Sequence, residues 1–142
     1  MPLTTLLFSF QGRIGRQTFW IWNCSYYAMI IGFVVGANQL FPGIASFILP
    51  VFLLLILIPD LAMTAKRWHD RDKNSWWLLL NIPLVIGRMS VPVGANAMAA
   101  NEPLLYETII SAAALICGCW ILIECGFMKG THGDNRFGKE PV

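Results

Sequence analysis

His69 and Asp70 stand side by side between two strongly apolar stretches, and His132 and Asp134 recur near the C-terminus. These residue types can ligate a divalent metal or move protons, and the two segments would meet if both lay on one face of the protein. The spacing argues against either chemistry. No histidine pair stands at i, i+4, and no third ligand converges on them. A nucleophile elbow and a glycine-rich phosphate loop are both absent. No catalytic residue, metal or cofactor is therefore expected, and His69 is expected to hydrogen-bond a neighbour. An enzyme is the least favoured class.

The four cysteines do not change this. Cys24, Cys117, Cys119 and Cys125 all fall inside apolar stretches, without zinc or disulfide-framework spacing. Cys117 and Cys119 would point to different faces of a helix, so small apolar packing residues are the expected role.

The elements that position these residues follow from composition. At 142 residues, 56% hydrophobic and 13% charged, with mean hydropathy +0.60, the chain allows one domain and lies far outside the soluble balance. The expected fold is all-α, a four-helix membrane bundle in one domain. Leu3, Leu6, Leu7 and Phe10 recur at helical spacing within residues 1–16, predicting a short interfacial helix that Gly12 breaks. Residues 18–37, 44–65, 75–94 and 104–128 are the expected spans, each long enough for a hydrocarbon core of about 30 Å. A cleavable signal peptide competes for the first, with Val35 and Ala37 as small residues, but the apolar run is long and an uncleaved anchor is favoured. Pro50 and Pro59 predict kinks in the second span, and hence packing against protein. The third is interrupted by Asn81, Pro83, Gly87, Arg88 and Pro92 and could be re-entrant.

Orientation follows from the basic residues. Four crossings with both termini inside put Arg13, Arg16, Lys66, Arg67, Arg71, Lys73, Lys129, Arg136 and Lys139 in the cytoplasm and leave only Arg88 elsewhere. A re-entrant third span would strand the last three outside. Residues 66–75 are then a cytoplasmic loop and 129–142 a cytoplasmic tail. The basic residues are split among short segments and form no continuous face for nucleic acid. The tail is either free or folded back, with Arg136 on Asp70 or Asp72 and Phe137 in an interfacial pocket.

Helical rise places Asp60 and Glu124 in one layer, roughly 6 to 8 Å inside the cytoplasmic boundary. They are expected to form an intramembrane charge cluster with Arg13, Arg16, Lys66 or Arg67. Arg88, nearer the outer surface, is expected to clamp to Glu107. The charges occupy two depths with an apolar middle, which argues against a continuous transport path.

Three blocks carry a family resemblance: Gly12-Arg13-Ile14-Gly15-Arg16-Gln17-Thr18-Phe19-Trp20, Lys66-Arg67-Trp68-His69-Asp70 through Trp76-Trp77, and Gly130 through Asn135-Arg136-Phe137-Gly138 with Pro141. Over nearly its whole length the chain resembles the bacterial inner-membrane family called domain of unknown function 805, the YhaH/YhaI-like proteins. Ser75, His132, Asp134 and Lys139 depart from the family pattern. The resemblance implies a small multi-pass protein of the bacterial inner membrane and supplies no reaction or substrate.

All three blocks fall on the side that charge alone assigns to the cytoplasm. The expected interaction site is therefore Arg13, Arg16, Lys66, Arg67, His69, Asp70, Trp76, Asn135 and Arg136. The favoured function is a non-catalytic membrane module that binds a protein partner or anionic lipid headgroups there. The alternative is a small-solute transporter or channel subunit working as a homo-oligomer.

Overall fold

The computed structural model describes residues 1–93 and 102–142. A short helix α1 (Leu3–Phe8) precedes three long ones: α2 (Arg16–Leu40), α3 (Ala45–Asp70) and α5 (Leu105–Ile121), which continues as a π-helical turn over Leu122–Phe127. Between α3 and α5 the chain runs through a 3₁₀ helix (Ser75–Leu80) directly into α4 (Asn81–Met89). The three long helices have the length and apolar composition to cross a membrane. The expected connection between the third and fourth spans falls largely on residues 94–101, outside the described residues.

Burial is inverted relative to a water-soluble bundle. Ile31, Phe47, Leu55, Leu115 and Ile116 are exposed, whereas Arg13, Lys66, Arg67 and Asp70 are buried. Such an apolar surface suits lipid and would be an aggregation liability in water. Two apolar clusters fill the interior. One holds Ile14, Phe19, Met63, Trp68, Ile121 and Cys125; the other holds Ala37, Ala45, Leu49, Leu53 and Val93, with Phe33 stacked on Phe52 at 4.0 Å. Small residues let α4 and α5 approach. A Cβ on Gly87 would meet Ala114 at 3.4 Å, and one on Gly118 would meet Leu84 at 3.6 Å.

Two sequence expectations change here. α3, with Pro50 and Pro59 inside it as expected, continues five residues past the expected span, to Asp70. Lys66–Asp70 is thus a buried helix end, and the loop shrinks to residues 71–74. That end closes by a Schellman arrangement: Asp72, in left-handed conformation (φ 55°), donates its N–H to the His69 carbonyl, and the Lys73 N–H reaches the Trp68 carbonyl (both 2.9 Å). The second change is in the third expected span, where the described helix stops at Met89 and its first six residues are 3₁₀.

Candidate functional site

The end of the bundle where α3 and α5 terminate is built on orphan carbonyls. The last carbonyls of a helix have no intrahelical donor, and the π turn adds to the disruption: the Met128 N–H bonds back five residues to the Ile123 carbonyl at 3.1 Å. Cationic side chains fill the gap, as the negative end of a helix dipole favours. Arg67 donates from Nε to the Cys125 carbonyl and from Nη2 to the Met128 carbonyl (both 2.6 Å). Trp20 donates to the Gly126 carbonyl at 3.1 Å, and Arg16 to the Phe127 carbonyl at 3.2 Å. Arg71 takes the Lys129 carbonyl at 2.8 Å. Lys66 closes the end of α1, donating to the Leu6 carbonyl at 2.6 Å and to the Thr5 carbonyl, which also accepts the Ser9 N–H, at 2.9 Å.

Asp70 and Arg13 lock this end to the tail. Asp70 Oδ1 accepts from Arg13 Nε and Nη2 (3.1 and 2.9 Å), and Oδ2 accepts from Arg67 Nη1. The Asp70 carbonyl takes both the N–H and the hydroxyl of Thr131 (2.8 and 3.0 Å). Arg13 then spends its other donors on the tail: the carbonyls of Gly133 (2.7 Å), Gly138 (3.2 Å) and Thr131 (2.7 Å). All five guanidinium N–H donors are engaged, which only arginine can supply. Gly130 is fitted against this knot, since a Cβ there would overlap the Asp70 carboxylate.

His69 joins three segments. Its ring nitrogens contact the Gly12 carbonyl (Nδ1, 3.2 Å) and the Ser75 hydroxyl (Nε2, 3.0 Å), and its face stacks on Phe137. Asn135 donates to the His69 carbonyl and to Thr131 Oγ1 (both 2.9 Å) while its own Oδ1 accepts the Phe137 N–H. Arg136 pairs with Asp72 at 3.0 Å. The tail is therefore folded back, with Phe137 held on His69.

The expected interaction site divides in two. Arg13, Lys66, Arg67, His69 and Asp70 are buried and bonded to one another, to α1, to the N-terminal segment and to the tail. Arg16, Trp76 and Arg136 remain exposed, and Asn135 is half-buried. The sequence assigns Lys66, Arg67, His69 and Asp70 to a loop and Arg13 to the N-terminal segment; the first four are buried because α3 continues to Asp70, and Arg13 because its guanidinium lies between Asp70 and the tail. Thr131, Gly130 and the carbonyls of residues 125–129 were not legible as site elements, because a carbonyl acceptor has no side-chain signature.

The charges at depth also pair differently from expectation. Arg88 does not clamp to Glu107. It reaches Asp60 Oδ2 at 2.9 Å, with the Tyr26 and Tyr27 hydroxyls at 3.1 and 2.8 Å, while Trp22 Nε1 approaches Asp60 Oδ1 at 3.4 Å. Glu107 instead accepts the Leu104 N–H at 2.9 Å and caps its own helix. Nor do Asp60 and Glu124 form one cluster. Because α3 continues to Asp70, Asp60 lies ten residues, about 15 Å, from the helix end. Glu124 stays near the knot, where Arg71 (2.8 Å) and Lys73 (3.0 Å) hold it. Among the described residues no group of three His, Cys, Asp or Glu side chains is placed to hold a metal.

An all-helical chain with three membrane-length helices and ends tied by an arginine–aspartate knot defines the class. Residues 7–139 match the family described as Protein of unknown function (DUF805), and the chain belongs to that family. It is 33% identical to the Uncharacterized protein YiiR of Escherichia coli (strain K12), over 99% of this chain and 90% of that one. Two relatives from the same strain carry a location in their names. Inner membrane protein YhaI is 25% identical over 93% of this chain and 85% of its own length; for Inner membrane protein YhaH the figures are 24%, 93% and 86%. No solved structure matches.

Proposed function

We propose that this chain is a non-catalytic inner-membrane module of four crossings, with both termini in the cytoplasm and a knotted cytoplasmic end that seats on anionic lipid headgroups. The observation that carries the topology is the contact of Arg13 with the Gly133 and Gly138 carbonyls. The two ends of the chain meet, so they share one side of the membrane and the number of crossings is even. With α2, α3 and α5 as three, the 3₁₀–α4 segment supplies the fourth. Six 3₁₀ residues and nine α residues span about 25 Å, close to the hydrocarbon thickness, because the 3₁₀ rise is larger. The inner-membrane location in the names of YhaI and YhaH supports the compartment.

The knot fixes a rim of cations around this end. Arg16, Lys129, Arg136 and Lys139 are exposed, as is Trp76, whose amphipathic indole suits a headgroup zone. Each such cation near an anionic leaflet contributes about 1 kcal/mol. In nanodiscs of mixed phosphatidylglycerol and phosphatidylcholine, native mass spectrometry of the released protein should find phosphatidylglycerol preferentially retained. Arg16→Gln with Lys129→Gln should remove the preference; retention unchanged by both substitutions would contradict the headgroup reading.

A further inference from the structure

We infer that the cleft between α2 and α5 is a binding site for a neutral, membrane-dissolved molecule with an apolar body and a hydroxyl head. α2 and α5 are tied at the knotted end, where Trp20 meets Gly126. Deeper in, a cavity of about 570 Å³ separates them, bordered by Phe19, Asn23 and Tyr27 on α2 and by Ser111, Leu115 and Cys119 on α5. Asp60, Asn81 and Arg88 line it too. Tyr27, Leu115 and Cys119 are exposed, so the cavity opens sideways, towards lipid.

Its polar groups are incompletely used. Asn81 is 3% exposed, and its Oδ1 is buried with no hydrogen-bond partner. Water in the hydrocarbon layer is too scarce to make that neglect cheap, so a donor is wanted there. Arg88 makes three hydrogen bonds among the described residues, of the five a guanidinium can donate. A hydroxyl both donates and accepts and therefore suits an orphan acceptor and a guanidinium lining one cavity. Charge argues the same way: Asp60 and Arg88 neutralise each other at 2.9 Å, so the site has no net charge to recruit an ion. The remaining walls, Leu84, Val91, Ala114 and Ile121 among them, are apolar and suit an alkyl or isoprenoid body.

The test compares 4-octylphenol with 4-octylanisole, which has the same body and lacks the donor. Binding is measured by calorimetry on the full chain in phosphatidylcholine nanodiscs, with empty nanodiscs subtracted. Saturable one-to-one binding is expected, with the phenol about tenfold tighter, the worth of one hydrogen bond. Asn81→Leu should bring the phenol down to the level of the anisole. Leu115→Trp, at a lipid-exposed position where the fold tolerates bulk, should abolish saturable binding of both probes by filling the cleft. Asn81 also borders an apolar groove on the other face of α4 that Leu115 does not touch, so binding that survives Leu115→Trp would place the probe outside the cleft and overturn the inference. Equal affinities in the wild type, or a phenol preference that survives Asn81→Leu, would overturn it as well.

Discussion

Phe137 lies face to face on His69, ring centroids 4.0 Å apart and planes 3° from parallel. One imidazole thereby joins the N-terminal segment through Gly12, the 3₁₀ helix through Ser75 and the tail through the stack. Phe137→Ala should free the tail without unfolding the bundle. Loss of an aromatic pair weakens a contact by about 1 kcal/mol, so amide exchange over residues 131–138 should rise about fivefold while α3 stays protected. Hydrogen-exchange mass spectrometry reads both.

Gly130 tests how closely the tail must approach α3. A methyl group there collides with the Asp70 carboxylate and breaks a buried, doubly paired charge, a change that costs about 3 kcal/mol or more. Gly130→Ala should lower the thermal midpoint in detergent sharply. Gly43→Ala, with nothing within 4 Å of the added carbon, should leave it unchanged.

Arg13→Lys keeps the charge and discards the fork. Lysine has three donors on one nitrogen and cannot serve Asp70 and three tail carbonyls at once. The expected loss is about 2 kcal/mol by thermal or denaturant unfolding. Since Arg13 and Gly130 both act on Asp70, the double variant Arg13→Lys/Gly130→Ala should lose less than the sum of the two.

At depth, Asp60 and Arg88 should behave as a unit. Arg88→Leu leaves a carboxylate buried without its cation, and Asp60→Leu leaves the reverse. Each single variant should be more destabilised than Asp60→Leu/Arg88→Leu, because removing both charges removes the desolvation problem. A double variant worse than either single one in thermal unfolding would contradict a coupled pair.

The long helices were legible in the sequence because twenty-odd apolar residues admit few alternatives, and residues 18–37 and 104–128 fall within a few positions of α2 and of α5 with its π turn. Lys66–Asp70 misled for a physical reason. Charge density usually marks a solvated loop, and those charges are buried by distant partners that no local pattern reveals: the α1 carbonyls for Lys66, the carbonyls after α5 for Arg67, and Arg13 and the tail for Asp70. The Arg88–Asp60 pair is hidden in the sequence because the charges of Lys66–Asp70 suggest a helix end at Ala65, five residues too early, which sets Asp60 too shallow to meet Arg88. Arg136 with Asp72 was accessible, since opposite charges on two exposed segments of one face are a pairing that sequence can suggest.

In the proposed topology the chain crosses the membrane four times and brings both ends to the cytoplasm. Cysteine labelling tests it most directly. In a background with Cys24, Cys117, Cys119 and Cys125 replaced by alanine, the single variants Gln11→Cys, Asn74→Cys, Lys139→Cys and Glu102→Cys are exposed to a membrane-impermeant maleimide on intact spheroplasts. The first three should label only after the membrane is permeabilised, and Glu102→Cys should label beforehand. Labelling of Gln11→Cys and Lys139→Cys from opposite sides would contradict the topology and the knot that rests on it.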